Sequence, residues 1–227
     1  DPKLWDRAET TLKEILEESG KEYFIEEGDG AFYGPKVDII MKDVLGRPWQ
    51  MGTIQLDFQQ PIRFGLEYAA ADGTKQTPIA IHRVIYGSLE RFIGILIEHT
   101  AGKFPVWLAP EQIRIATVNQ EDATVQCAQD ILERAKAKGL RAVLDNSNES
   151  VGKKIRAAEL MKVPYTLVIG EKEVSTGEVT PRVRKDIEVQ TQQTPVTIDE
   201  FLGTVVNETK ARTTHTSLQG VKTKHEA

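Results

Sequence analysis

The sequence predicts an α/β chain in two parts: an antiparallel sheet with helices, followed by a small α/β domain with a mixed sheet. Three observations predict it. Within residues 36–58, apolar–polar alternation runs out along 37–42, turns at Gly46 and returns along 48–58, the pattern of paired half-buried strands. From residue 112 onward, strand-like and helix-like stretches alternate, the order that builds a mixed sheet with helical crossovers. Between them, 101-AGKFPVWLAP-110 carries two prolines and interrupts both patterns. The parts are accordingly 1–107 and 108–212, with a polar tail, 213–227, whose composition predicts disorder.

Taken in order, residues 3–19 read as an amphipathic, acid-rich helix stopped by Gly20. The hairpin at 36–58 follows, then a strand at 78–81 and a helix at 88–100. In the second part the strands are 112–118, 140–145 and 164–169, with a hairpin running from there to about residue 184. Its helices are 122–138, closed by Gly139, and 151–162. Thr197-Ile-Asp-Glu200 has the form of a capping box for a last helix.

Composition narrows the class. Of 227 residues, 40% are hydrophobic and 28% charged, ordinary for a water-soluble protein. No apolar run reaches the roughly 18 residues of a membrane span. The opening lacks the basic start and apolar core of a signal peptide. Cys127 is the one cysteine and cannot pair within the chain, which predicts a reducing, cytoplasmic setting. It lies among apolar helix neighbours, and nothing marks it as reactive. A net charge of −5 argues against a protein that coats nucleic acid indiscriminately but leaves room for a local basic patch.

The chemistry-bearing residues of the first part gather on few elements. Lys36 and Asp38 are two apart and share a strand face; Tyr33-Gly34-Pro35 delivers a phenol beside them. On the return strand Gln50, Thr53, Gln55 and Asp57 are polar in an apolar context. Strict alternation puts Gln50 on the far face, whereas a bulge at Met51-Gly52 aligns all four. The competing reading is a wet face of an antiparallel sheet. In the helix at 88–100, Leu89, Phe92, Ile93, Leu96 and Ile97 form an apolar face expected to be buried, and Ser88 is placed to cap it. Arg91 in its first turn opposes the helix dipole unless an anion lies between. Pairing with Glu90 is the plainer reading. His82 is a weak metal candidate alone, because no second histidine or cysteine stands at ligand spacing.

Together, 32-FYGPKVDI-39, 49-WQMGTIQLDF-58, 81-IHRVIYGSLERFIGILIEH-99 and 104-FPVWLAP-110 resemble, in order, the threonyl-tRNA synthetase family. Gly87-Ser-Leu-Glu-Arg91 is similar to the third signature motif of class II synthetases, and the Trp49-Gln50…Gln55 strand and His82 narrow the resemblance to the threonine enzyme. It extends to about residue 205. It implies the later part of a class II catalytic domain, followed by an anticodon-binding domain. It implies a ligase that activates threonine with ATP and Mg2+ and passes it to threonine tRNA. Lys36, Gln50 and Arg91 take catalytic positions, with Gln50 and Arg91 on ATP. Tyr33, Gln50, Gln55 and Ser88 line the substrate pocket. His82 matches one of three protein ligands of a zinc ion (Zn2+). The family's first two motifs, dimer-forming segment, other two zinc ligands and editing domains fall before the positions matched here. The expectation is a homodimer in the complete enzyme and no aminoacylation by these 227 residues alone.

In the second part a basic cluster stands out: Lys153, Lys154 and Arg156 on one helix, and Arg182, Arg184 and Lys185 farther on. A solvated face is the bland reading; a phosphate backbone is the sharper one. By the resemblance, Asn148, Arg156, Glu173 and Arg182 fall where the family reads the anticodon. A glutamate can accept from a base amino group and an arginine can donate to a guanine edge. Ser150 stands where many relatives have lysine. The competing functions are a non-catalytic tRNA- or RNA-binding regulator, and another class II enzyme such as the prolyl one. The first has no use for the polar set of the first part, and the second none for His82.

Overall fold

A computed structural model describes residues 2–187, 192–216, 218 and 220–221. The chain divides into two compact units, Asp1–His99 and Thr100–Ala227. The proline-bearing segment 101–110 therefore goes with the second unit, eight residues earlier than the 107/108 boundary read from the sequence.

In the first unit, helix α1 (Pro2–Glu18) ends before Gly20, which takes a positive φ. Strands β1 (Lys36–Lys42) and β2 (Pro48–Asp57) pair antiparallel. A short helix, α2 (Gln60–Arg63), and a two-residue ladder of β3 (Tyr68–Ala69) with β4 (Lys75–Gln76) lead to β5 (Ala80–Val84). The sheet order is β1-β2-β5, with β2 in the centre. The register of β1 on β2 runs Ile39 to Gly52 and then Ile40 to Gln50. Met51 is the extra residue of a bulge, buried while the residues either side change face. The bulge is the one the polar pattern predicts.

Two glycines let backbone pass where a side chain cannot. A Cβ on Gly34 would lie 2.0 Å from the Leu56 carbonyl oxygen, so the Tyr33 loop can lie on β2 only with glycine there. A Cβ on Gly87, which has φ +65°, would lie 2.3 Å from Met51 O. That contact sets the start of α3 (Leu89–Thr100) against the bulge. The apolar face expected to be buried on α3 is not: no α3 residue is buried, and Leu89, Ile93 and Ile97 are exposed. A three-stranded sheet offers too little surface to cover it, although the Phe92 ring meets Tyr86 at 4.6 Å.

The second unit has its own core. Strands β6 (Ile113–Thr117), β7 (Ala142–Asp145) and β8 (Tyr165–Ile169) are parallel, joined by α4 (Asp122–Ala137) and α5 (Val151–Leu160). The predicted hairpin after β8 is instead a six-residue helix, α6 (Glu171–Thr176), followed by β9 (Glu178–Val179) and β10 (Arg182–Val183). Gly170 opens that helix: its N–H is taken by the Glu173 carboxylate at 3.0 Å, a local bond that competes with continuing the strand. β10 then returns antiparallel onto β8, giving the order β10-β8-β6-β7. Strand β11 (Gln192–Gln193) pairs with β13 (Gly220–Val221), and β12 (Val196–Thr197) pairs with β9. Helix α7 (Ile198–Ala211) is capped by Thr197, whose hydroxyl accepts from Glu200 N.

Ile113, Ile115, Leu167 and Ile169 pack with Ala128 and Ile131 of α4 and Phe201, Leu202 and Val205 of α7. Within the core, Tyr165 Oη donates to the buried Glu208 at 2.6 Å, and Thr216 also bonds Glu208, at 2.9 Å. Of the tail expected to be disordered, residues 217, 219 and 222–227 lie outside the described residues. Thr216 and Leu218 pack against the domain.

Candidate functional site

The first candidate site is the polar face of β1, β2 and β5. Lys36 Nζ lies 2.7 Å from Asp38 Oδ2 and 2.7 Å from Asp29 Oδ2. These bonds, with Asp29 first, raise the Lys36 pKa. The other Asp38 oxygen accepts from Gln50 Nε2 at 2.7 Å and from Thr53 Oγ1 at 2.7 Å. Burial alone would raise the Asp38 pKa, but bonds from Lys36, Thr53 and Gln50 hold it below the ordinary range. Gln50 reaches this cluster because of the Met51 bulge. Tyr33 Oη donates to Gln55 Oε1 at 2.7 Å.

His82 is not alone on its strand end. Its Nε2 is 2.9 Å from Oδ2 of Asp57, a carboxylate with no exposed surface. Asp57 Oδ1 accepts from Gln59 N and Gln60 N at the start of α2. Burial pushes the Asp57 pKa up, yet the Gln60, His82 and Gln59 bonds bring it below the usual value. Asp57 accepts the hydrogen bond of the tautomer that carries its proton on Nε2, which leaves the Nδ1 lone pair free of that bond. A histidine ligand held by a carboxylate has this arrangement, so His82 fits one position of a zinc site. Among the described residues no group of three His, Cys, Asp or Glu side chains forms a metal site.

Arg91 does not take Glu90, whose carboxylate accepts from Ser88 Oγ at 2.9 Å. The Arg91 guanidinium donates to Gln50 O at 3.0 Å and lies 5.5 Å from the Trp49 ring centre. Ser88 Oγ also accepts from Arg91 N at 3.4 Å, consistent with a cap. The sequence offers Tyr33, Lys36, Gln50, Gln55, Ser88, His82 and Arg91 as candidates; the structure adds Asp29, Asp57 and Trp49 as side chains in contact with them. The signal for Asp57 was present: an aspartate before 58-FQQP-61 has the form of an Asx turn, its side chain accepting from backbone N–H groups two and three residues on.

The second candidate site is the carboxyl edge of β6, β7 and β8. Asn148 is exposed in the β7–α5 loop, and Gln120 of the β6–α4 loop donates to Asn146 O at 2.7 Å, tying the loops together. Ser150 caps α5. Arg156 and Arg182 are exposed, and Glu173 is half-buried against Gly170 N. The basic cluster read from sequence is smaller than six. Lys154 is buried and donates to Thr117 O and Oγ1 at 2.9 and 3.2 Å. Arg184 bonds Asp186, Lys162 O and Phe104 O. Both are structural cations, and Lys153 is paired with Glu149.

Residues 3–100 match a family model described as the tRNA synthetase class II core domain (G, H, P, S and T), and residues 112–208 match one described as the anticodon binding domain. The threonine–tRNA ligase of Clostridium botulinum (strain Okra / Type B1) is 51% identical over 209 residues, 92% of this chain and 32% of that protein. The chain belongs to the threonyl-tRNA synthetase family. A second threonine–tRNA ligase, from Carboxydothermus hydrogenoformans, is 54% identical over 181 residues, 80% of this chain and 28% of its own length. A crystal structure titled as the RNA binding domain of threonyl-tRNA synthetase from Cryptosporidium parvum Iowa II superposes with a TM-score of 0.82. Its identity is 37%, over 96% of this chain and 53% of that one. Prolyl-tRNA synthetase from Cryptosporidium parvum, at 21% identity and a TM-score of 0.57, shares the fold. The chain thus spans about a third of the length of the threonyl-tRNA synthetase relatives it matches. No helix among the described residues is long and apolar enough to cross a membrane.

Proposed function

We propose that the chain supplies the later part of the catalytic core and the anticodon-binding domain of a threonine–tRNA ligase. The observation that carries this is the convergence of Tyr33, Lys36, Asp38, Gln50, Thr53 and Gln55 on one face of the sheet, in a chain half identical to such ligases. The substrates are threonine, ATP with Mg2+, and threonine tRNA. The complete enzyme works as a homodimer in the cytoplasm.

In this reading Arg91 and Gln50 hold the nucleotide, and Ser88, Tyr33 and Gln55 border the amino acid. The threonine carboxylate attacks the α-phosphorus, forming the acyl–phosphate bond as pyrophosphate leaves. Lys36 and Arg91 offset the negative charge that gathers on the phosphate oxygens. Lys36 is tied to Asp29 and Asp38, so substrate must draw it from one of them; Asp29, the exposed partner, is the one to release it. His82 is the zinc ligand from this chain, with Asp57 fixing its tautomer. A zinc ion held there would supply a Lewis acid for the amine and hydroxyl of threonine, and valine has no hydroxyl to offer. Asn148, Arg156, Glu173 and Arg182 read the anticodon.

The test is a complete ligase in which this chain replaces the matched 209 residues of the Clostridium botulinum relative. Threonine-dependent pyrophosphate exchange is expected, with valine a poor substitute, while the 227-residue chain alone gives none. Exchange with proline instead of threonine would overturn the reading.

A further inference from the structure

We infer that Trp49, fixed by Asp43, is a positioning residue that holds Arg91 ready for a phosphate without neutralising it. The inference rests on the ligase reading for its activity test but not for its geometry.

Asp43 is buried in the turn between β1 and β2. Its Oδ1 accepts from Leu45 N and Arg47 N, each at 2.9 Å, and its Oδ2 accepts from Trp49 Nε1 at 2.9 Å and from Arg47 Nε. The indole bond is the largest cause that lowers the Asp43 pKa, to about 2, and the bonds from Arg47 and Leu45 lower it further against its burial. The carboxylate is therefore ionised at every working pH, and the indole is tethered at its polar edge.

Two guanidinium groups meet the Trp49 ring, Arg47 at 5.8 Å and Arg91 at 5.5 Å from the centre. The Arg91 contact is paired with a bond to the next residue, Gln50 O, at 3.0 Å. Both partners lie just before the Met51 bulge, and the close passage of Gly87 over Met51 O brings Arg91 to them. Three local features thus converge on one side chain.

The chemistry of these partners matters. Arg91 sits in the first turn of α3, where the helix dipole repels a cation. Left alone it would swing to solvent. A carboxylate partner would hold it but cancel the charge, as Asp29 and Asp38 do for Lys36. An aromatic face and a peptide carbonyl attract a cation while carrying no net charge. Arg91 is held in place with its full charge still available to an anion.

The experiment has two arms. In the 227-residue chain, NMR reads the Arg91 side-chain Nε–H. Ring shielding is expected in the parent, is expected to weaken in Trp49→Phe, which keeps an aromatic face but loses the Asp43 bond, and is expected to vanish in Trp49→Leu. In the complete ligase described above, Trp49→Leu should raise KM for ATP about five- to tenfold with KM for threonine unchanged, and Trp49→Phe, which keeps the face but not the Asp43 bond, should recover part of the loss. An Arg91 resonance that ignores Trp49→Leu overturns the inference. So does an equal rise in both KM values, or a Phe variant as poor as Leu, since these mark a merely structural tryptophan. Absence of threonine-dependent exchange in the unsubstituted ligase would count against the functional reading, and the NMR arm would still decide the geometry.

Discussion

The Nε2 of His82 and the buried Oδ2 of Asp57 stand 2.9 Å apart, and the carboxylate that orients the imidazole also opens the next helix. One aspartate thereby ties the end of β2, the start of α2 and the β5 histidine into one arrangement.

Asp57→Asn keeps the side chain's size and one acceptor but removes the charge that holds the Nε2 proton. In the complete ligase we expect zinc affinity to fall about 10- to 100-fold, as when a second partner of a ligating histidine is lost. His82→Ala should abolish zinc retention and threonine activation together. Competition with a chelator, followed by metal analysis, reads both. A variant Asp57→Asn that retains zinc like the parent would reduce the pair to packing.

Asp43 supplies a pH signature. Its folded-state pKa, about 2, lies below the ordinary value of 3.8, so it contributes stability above that ordinary value. The contribution is lost as pH falls through the folded value. The parent should therefore lose stability of the first unit progressively from about pH 4 toward pH 2. Asp43→Asn should be less stable at pH 7, and the gap should close over that same window. Asp38 and Asp57, also lowered, steepen the loss in both proteins. Urea midpoints at a series of pH values would show it; a gap that persists unchanged to pH 2 contradicts the assignment.

Arg182 is exposed on β10, where nothing in the core depends on it. The second unit has its own continuous hydrophobic core, drawn from residues 106–218, so residues 100–227 should fold alone. We expect them to bind threonine tRNA weakly and in a salt-dependent way. Arg182→Ala should lower discrimination at one anticodon base by roughly 1–3 kcal/mol. Filter binding to tRNAs altered at single anticodon positions measures it. Equal binding of every tRNA by parent and variant alike would leave only a nonspecific basic surface.

The site was more legible than its surroundings, for physical reasons. Polar residues at broken alternation betray a bulge, because the sheet period is two and Gln50 fits the face only if Met51 is extra. Helix positions followed from their stops, Gly20 and Gly139, both at positive φ. What sequence did not carry was the fate of individual cations. Nothing in 153-KKIR-156 says that the second lysine turns inward to Thr117 while the arginine stays out. The apolar stripe of α3 marked the helix but not its burial: a pattern names no partner, and the sheet of this chain leaves Leu89, Ile93 and Ile97 exposed. The α6 helix was hidden because its start depends on a glycine amide meeting a glutamate three residues on.

Lys154 and Arg156 are two apart on α5 and should answer a tRNA in opposite ways. Lys154 is buried, and its ammonium donates to the carbonyl and hydroxyl of Thr117, itself buried at the carboxyl end of the central strand. Lys154→Met removes those donors and strands two buried acceptors, which should cost about 1–3 kcal/mol of stability. Having no exposed charge to offer a phosphate, it should leave the salt dependence of tRNA binding unchanged at temperatures where the domain stays folded. Arg156 is exposed, so Arg156→Ala should scarcely alter stability and should reduce the slope of log affinity against log salt by about 1. Thermal unfolding of residues 100–227 and tRNA titrations at several salt concentrations separate the two effects. If Lys154→Met flattened the salt slope at full stability, the lysine would be a phosphate contact after all. If Arg156→Ala left the slope untouched, the α5 face would lie off the tRNA path.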